Sequence, residues 1–325
     1  MHEIARRISA AAKLLVVTHA RPDGDALGSL AALCGAASSA GKQTAALVPG
    51  EVPARYDFLL AGCRPAPAER FAELAAWADA VVIVDTCALA QLDGLDNQLA
   101  AAREKIVVID HHATADDIGS VRWLDTSAAA VGIMVGELLD ALAWPVDIKV
   151  AEALLTAIAT DTGWFRFANT DGRCLRAAGR LLDAGVEGDK LYRRLFQADR
   201  PERMKLLTRA LASLALPAGG RIATMKLRLG DFAATGASQD ETENVVNEPL
   251  RMARVEVSML LTQTPDDGGP RVRVSLRSRG GVDVAAIARR FGGGGHVQAA
   301  GLRADGDIDT LAEKLVKACE EELDD

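Results

Sequence analysis

Histidine and aspartate recur along this chain at positions where their chemistry could be pooled. His19 is followed by Asp23 and Asp25. Asp85 stands apart. Asp110, His111 and His112 are consecutive, and Asp161 precedes Thr162 and Gly163. Taken singly, each has an ordinary reading. An Asp after an apolar run is usually a helix N-cap, its carboxylate accepting from the first free N–H groups. A pair of histidines is more often surface or a satisfied part of a core. In one crevice the set reads differently. Four or more carboxylates and two imidazoles cannot all be buried unpaired, and that many anions repel one another severely unless cations neutralise them. Divalent cations are the simplest neutralisers. With no thiolate in the set, it points away from structural zinc and toward manganese or magnesium, with cobalt or iron as further choices.

The elements must bring these residues together. Residues 14–18 form a short apolar run, too short for a helix, and 45–48, 80–84 and 106–109 are three more. They are apolar throughout and separated by helix-compatible stretches at 26–40, 127–143, 147–160 and 172–184. That pattern predicts a parallel sheet with helices on both faces. His19 ends the first run, Val84 leads straight into Asp85, Ile109 into Asp110, and the helix at 147–160 into Asp161. Ligands of open parallel sheets bind at the carboxyl ends of strands, where strand order reverses. The dispersed residues are expected to converge there. Residues 20–25 lack the Gly-x-Gly-x-x-Gly of a dinucleotide-binding turn, which excludes a Rossmann dehydrogenase.

The pattern changes near residue 190. Helices are expected at 189–197 and 201–214, with Pro201 at a helix start, and 217–220 is a clear break. Alternating strands follow at 221–227, 255–261 and 271–277, and a turn at 266–270 makes the last two antiparallel. Helices at 283–290 and 309–323 come next, and the acidic stretch 320–325 reads as a solvated helix end. The expected division is a parallel α/β domain at 1–190, a helical linker at 191–216 and a smaller α+β domain at 217–325. In the second domain, alternation puts Arg277 and Arg279 on one face. There they grip a phosphate or stack on a base, or simply form a solvated strand face. Gly292, Gly293, Gly294 and Gly295, followed by His296, read either as a flexible turn or as a backbone N–H cradle for phosphate. They are not a Walker A loop, because no Gly-Lys-Ser/Thr follows. Residues 251–290 carry eight Arg against four acids, so anion-holding work is expected in the second domain.

Composition sets the outer limits. The 325 residues suit two domains. With 49% apolar and 25% charged residues the chain is globular rather than disordered or fibrous. The formal net charge of −8 argues against sliding along long duplex nucleic acid, which needs many Lys/Arg–phosphate contacts. No stretch is long and apolar enough to span a bilayer, and neither a signal peptide nor a membrane partner is expected. Five scattered cysteines without a Cys-x-x-Cys fit reduced cytosolic thiols, hence a cytoplasmic protein.

His19-x-x-x-Asp23-x-Asp25, Asp85, Asp110-His111-His112 and Asp161-Thr162-Gly163, in this order, resemble the four motifs of the DHH phosphoesterase superfamily. Ser275-Leu-Arg-Ser-Arg279 and Gly292-Gly-Gly-Gly-His296-x-x-Ala-Ala-Gly301 resemble the signature of its DHHA1 substrate domain. Thr242-Glu-Asn-Val-Val-Asn247 is similar to the small oligoribonuclease-type members, although many of these have a small residue where Asn244 stands. The resemblance implies two divalent metal ions, Mn2+ before Mg2+ or Co2+. His19, Asp23 and Asp85 would hold one, and Asp25, Asp85, His111 and Asp161 the other, with Asp85 bridging. Two such ions roughly 3.5–4 Å apart stabilise both the attacking and leaving oxygens of an in-line phosphoryl displacement. His112 is left to donate to a phosphate oxygen or to the leaving group. Asp110 either orients it or takes part directly. Arg277, Arg279, Gly293, Gly294, Gly295 and His296 would bind substrate.

The implied activity is hydrolysis of very short RNA and linear dinucleotides to 5′-mononucleotides, with 3′-phosphoadenosine 5′-phosphate (pAp) as a further substrate. A cyclic-di-AMP phosphodiesterase is an alternative. A manganese inorganic pyrophosphatase shares the first-domain motifs, but the Gly-rich signature argues against it. A non-catalytic nucleotide-binding protein would have lost a ligand, and none is lost here. The family also implies a homodimer. No aromatic array for gripping long single strands is visible.

Overall fold

The apolar runs of the first half become one parallel sheet in the computed structural model, which describes residues 1–113, 115–265 and 271–324. The chain divides into two compact units, Met1–Gln197 and Ala198–Asp325. In the first, α1 (His2–Ala10) leads to β1 (Lys13–Val17), α2 (Gly24–Ser39) and β2 (Gln43–Leu47). Then come α3 (Phe71–Trp77), β3 (Ala80–Val84), α4 (Asp96–Ala102), β4 (Ile106–Asp110) and β5 (Val121–Leu124). The helices α5 (Val131–Leu142), α6 (Ile148–Asp161), α7 (Gly172–Asp183) and α8 (Gly188–Phe196) complete it.

The strand order is β2-β1-β3-β4-β5, all parallel. The order reverses between β1 and β3, so the crevice of this sheet opens at their carboxyl ends. Alternate strand residues feed two cores. Leu14, Val16, Val82, Val84, Val107 and Ile109 pack against α1, α2 and the helices α5 to α8. Leu15, Val17, Val81, Ile83, Ile106 and Val108 pack against α3 and α4. The expected helix-covered parallel sheet is the fold.

Small residues let α2 approach α6 closely. A Cβ on Gly28 would lie 2.5 Å from the Ala153 carbonyl oxygen, and one on Gly24 would lie 2.4 Å from Thr160. The close contact brings the start of α2, with Asp23 and Asp25, beside the end of α6, with Asp161. The helix expected from 127 begins only at Val131. Residues 125–130 are instead an Asx turn, in which Asp125 Oδ1 accepts from Ser127 N and Oγ. Strand β5 was not legible, because its residues alternate between half-buried and exposed at the sheet edge.

In the second unit, α9 (Pro201–Ala212) is followed by β6 (Ile222–Leu227), α10 (Leu229–Thr235), β7 (Val257–Thr264) and β8 (Arg271–Ser278). After these come α11 (Val284–Arg290), β9 (Gly294–His296), β10 (Ala299–Asp305) and α12 (Ile308–Asp324). The sheet order is β6-β7-β8-β10-β9, with β6 and β7 parallel and the other pairs antiparallel. The turn expected at 266–270 lies outside the described residues; the strands on either side of it pair antiparallel. One sheet face packs on α11 and α12 through Val257, Val274, Leu276, Ile287 and Leu315. The other is covered over β6 and β7 by Leu206, Ala210, Phe232 and Val245.

The two helices read as a linker are each built into a core. Leu191 and Leu195 of α8 belong to the first unit, and Leu206 and Ala210 of α9 to the second. Part of the glycine-rich segment is ordered as well. Gly294 to His296 form the short edge strand β9 against β10.

Candidate functional site

Every strand end named above delivers its residue to one place. Thr18 Oγ1 donates to the Val84 carbonyl at 2.9 Å, which ties the end of β1 to the end of β3 and sets His19 beside Asp85. Asp85 follows β3 in a left-handed backbone conformation, φ 63°, unusual for a residue with a side chain. Its amide still bonds the Ile109 carbonyl at 3.0 Å, so the turn redirects the carboxylate without breaking the sheet. Asp23 caps α2 by accepting from Asp25 N and Ala26 N. Asp25 is 1% exposed. Its Oδ2 accepts from Val131 N at 2.6 Å and its Oδ1 from Gly132 N at 2.8 Å. Asp25 therefore caps α5 from over a hundred residues away, which explains a helix start that sequence pattern placed too early.

The separations are those of a polydentate cluster. His19 Nε2 lies 3.5 Å from Asp85 Oδ2. His111 Nε2 lies 3.7 Å from Asp85 Oδ1, 3.8 Å from Asp161 Oδ2 and 3.9 Å from Asp25 Oδ2. One atom each from His19, Asp23 and Asp85, and one each from Asp25, His111 and Asp161, form groups within 4.8 Å able to hold a metal ion. Among the described residues, Asp85 Oδ1 is buried with no hydrogen-bond partner. A buried carboxylate oxygen without a donor, facing an imidazole nitrogen, fits the chemistry of a cation ligand better than that of a finished core.

The electrostatics agree. Burial, then the charges of Asp25, Asp23, Asp161 and Asp110, push Asp85 well above the usual carboxylate range. Burial and the neighbouring Asp25 and Asp23 do the same to Asp161. Burial raises Asp25 to about 6 against the opposing charge of His111. Burial also lowers the pKa of His19, favouring the neutral imidazole, the form able to ligate a metal ion.

The two adjacent histidines have different roles by geometry. His111 Nδ1 lies 3.0 Å from the Ala128 carbonyl oxygen. A carbonyl only accepts, so Nδ1 carries the proton and the Nε2 lone pair faces the acids. His112 Nδ1 lies 2.7 Å from Asp110 Oδ1, and that same oxygen accepts from the amides of His111 and His112. Burial works against charge on His112, yet its hydrogen bond to Asp110 and that carboxylate's charge raise its pKa overall. His112, Asp85 and His111 also form a group compact enough for a metal. However, the His112 nitrogen nearest Asp85, at 3.9 Å, is Nδ1, already engaged by Asp110. Asp110 is fully buried, and its Oδ1 reaches the cluster through His112.

Behind Asp161 lies a strained turn that the sequence did not reveal beyond its glycine. Gly163, Trp164 and Phe165 all have left-handed backbones, φ 56°, 59° and 61°. Such conformations persist only when the surroundings over-determine them. Here Trp164 packs edge-on against Tyr192, Phe196 and Phe165, with centroids 5.0 to 5.8 Å apart.

In the second unit, Arg277 projects from the same face of β8 as Arg273 and Ser275. Across the ladder it stands opposite Ser258 and Ala299. Burial lowers its pKa, and among the described residues no carboxylate pairs with it. Arg279 lies just beyond β8 and is exposed. Its guanidinium donates to the Ala253 carbonyl at 3.2 Å and to that of Leu250. Arg277 and Arg279 thus have different surroundings, and Arg279 steadies the 250–253 backbone. Gly293 makes a close approach, since a Cβ there would lie 2.3 Å from the Gly301 carbonyl oxygen. Gly295 has φ 140°. His296 is exposed at the end of the edge strand, in register with Ala299.

Helices on both faces of a parallel sheet, with acids and imidazoles gathered at its switch point, define a metal-binding hydrolase class of site. The chain belongs to the DHH family: the DHH family N-terminal domain matches residues 13–159, and the DHHA1 domain matches residues 219–324. It is 34% identical to the bifunctional oligoribonuclease and PAP phosphatase NrnA of Thermus thermophilus over 312 residues, 95% of this chain and 90% of that one. It is 26% identical to the NrnA of Bacillus subtilis over 98% of each chain. In fold it is similar to the crystal structure of an exopolyphosphatase-related protein from Bacteroides fragilis. That match has a TM-score of 0.90 at 24% identity, over 99% of this chain and 95% of the other.

Proposed function

We propose that this chain is a divalent-metal-dependent phosphoesterase that hydrolyses very short oligoribonucleotides and linear dinucleotides to 5′-mononucleotides. The same site would remove the 3′-phosphate of pAp. The observation that carries the reading is Asp85, with one oxygen toward His19 and the other, unpartnered, toward His111. That is the geometry of a bridging carboxylate. His19, Asp23 and Asp85 would hold one ion and Asp25, Asp85, His111 and Asp161 the other, with Mn2+ preferred by the mixed carboxylate and imidazole donors. Bound there, the pair supplies Lewis-acid polarisation of the phosphate and an activated water.

The chain's own residues supply the rest. His112, held by Asp110 and kept readily protonated, donates to a phosphate oxygen or to the departing hydroxyl. Asp110 fixes its tautomer. Arg277, with which no carboxylate pairs among the described residues, would offer its guanidinium to a substrate phosphate. Gly293, Gly294, Gly295 and His296 would contribute backbone and ring donors beside it, and Arg279 would bind substrate directly or through the backbone it holds. No helix among the described residues is long and apolar enough to cross a membrane. A cytoplasmic homodimer acting on nucleotide phosphates completes the proposal.

The test is a substrate panel with Mn2+: pAp, a linear dinucleotide, cyclic di-AMP, an RNA pentamer, a long single strand and pyrophosphate. The dinucleotide or the pentamer should turn over fastest and pyrophosphate should barely react. Pyrophosphate as the best substrate would overturn the proposal.

A further inference from the structure

Two residues of the Asp25, His111 and Asp161 group, Asp25 and His111, are held by one short turn at residues 125–131, and the third is tied to that turn through a side chain. Its Ala128 carbonyl fixes the His111 tautomer. Its end supplies the Val131 amide, and the next residue the Gly132 amide, that hold Asp25. Its start is fastened to the DHH segment, because Asp125 N donates to the Asp110 carbonyl at 3.0 Å. The side chains that grip this turn belong to neither the motifs nor the ligand set.

Asn169 Nδ2 donates to the Ala129 carbonyl at 3.0 Å and to the Asp161 carbonyl at 3.2 Å. One amide thus links the residue after the His111 anchor to the backbone of Asp161. Arg173, in the first turn of α7, donates through Nη1 to Asp125 Oδ2 at 2.7 Å. Through Nε and Nη2 it makes a paired contact with Glu137 of α5 at 2.7 and 2.6 Å. The three side chains are only 23 to 32% exposed. Arg173 therefore braces the start of the turn against the helix that leaves its end.

We propose that Asn169 and Arg173 are positioning residues that set the geometry of the Asp25, His111 and Asp161 position, and leave the His19, Asp23 and Asp85 position largely untouched. A freestanding His111 rotates about its side-chain bonds, and the Asp161 carboxylate shifts with the end of α6. Groups that orient metal ligands in this way typically change affinity by about 10–100-fold. The inference rests on the reading of the cluster as a divalent-metal site.

The test is Mn2+ titration calorimetry on the wild type, Asn169→Ala and Arg173→Met, with unfolding of each metal-free protein followed in parallel. Asn169 is exposed, so Asn169→Ala should unfold like the wild type. One of its two Mn2+ affinities should fall by about 10–100-fold, and its activity should recover as Mn2+ is raised. Arg173→Met should weaken the same Mn2+ site, and Arg173→Lys should restore it only in part, since Lys cannot bridge both carboxylates. Wild-type affinities retained at both sites in Asn169→Ala and Arg173→Met would overturn the inference while leaving the metal reading standing. Equal weakening of both sites would also overturn it. A wild-type chain that takes up no Mn2+ would remove the metal reading itself, and the inference with it.

Discussion

Replacing Asp85 by Asn should stabilise the metal-free protein while abolishing its chemistry. Asp85 is 2% exposed, and burial and four neighbouring carboxylates hold its pKa well above its ordinary 3.8. In the unfolded chain the group keeps the ordinary value, so near neutral pH folding forces it to take up a proton or to stay charged among anions. Holding that proton costs ~1.4 kcal/mol for each pH unit above 3.8 until the raised folded-state pKa is reached, so the penalty grows toward neutral pH. Asn has the same shape and needs no proton. The expected gain is ~2–4 kcal/mol near neutral pH, or roughly 5–15 °C in the melting of a unit of this size.

The sign fixes the pH window. The raised folded-state pKa means the folded wild type binds the extra proton, so its stability falls as pH rises above 3.8. The advantage of Asp85→Asn should therefore be small at about pH 4 and largest near about pH 7. Urea unfolding in EDTA at both pH values reads it directly. Adding Mn2+ should reverse the order, because only the wild type gains stability by binding. A variant no more stable than the wild type near neutral pH, or equally advantaged at both pH values, would refute the electrostatic account of the cluster.

Other consequences follow from the same geometry. Mn2+ uptake should release protons and weaken steeply below about pH 6, because Asp25 sits at about 6 and Asp85 and Asp161 lie raised beside it. Titration in buffers of different ionisation heat checks it, and an affinity flat across that range would contradict it. His112→Ala should lower kcat by about 10²–10⁴-fold with Mn2+ affinity little changed. Asp110→Asn should move the alkaline limb of the pH–rate profile to lower pH, since Asp110 raises the pKa of His112. An unmoved limb would separate the two residues. Gly28→Ala should destabilise the first unit by ~1–3 kcal/mol and weaken Mn2+ binding together, because its Cβ would press 2.5 Å from the Ala153 carbonyl oxygen and part α2 from α6. Chemical denaturation and Mn2+ titration of that variant should show both losses.

The gathering of acids and imidazoles was legible because strand ends in a parallel sheet are marked twice, by an apolar run and by an abrupt polar residue. Asp85 and Asp110 each carry that double mark, whereas Asp161 closes the helix α6. The start of α5 was not legible: its cap is Asp25, a hundred residues away, and no local signal replaces it. Strand β5 and the edge strand Gly294–His296 were missed because edges are short and half-solvated and lack an apolar run. The left-handed stretch Gly163 to Phe165 leaves only a glycine in the sequence, since its support comes from the rings of Tyr192 and Phe196 on α8. Arg279 shows the limit of alternation. Its place after β8 was readable, but its grip on the Leu250 and Ala253 carbonyls depends on how the chain before β7 folds back.

The most direct measurement is anomalous diffraction from crystals of the full chain grown with Mn2+. Two peaks are expected, one ligated by His19, Asp23 and Asp85 and the other by Asp25, His111 and Asp161, with the Asp85 carboxylate shared between them. A single peak, or none within reach of Asp85, would contradict the account.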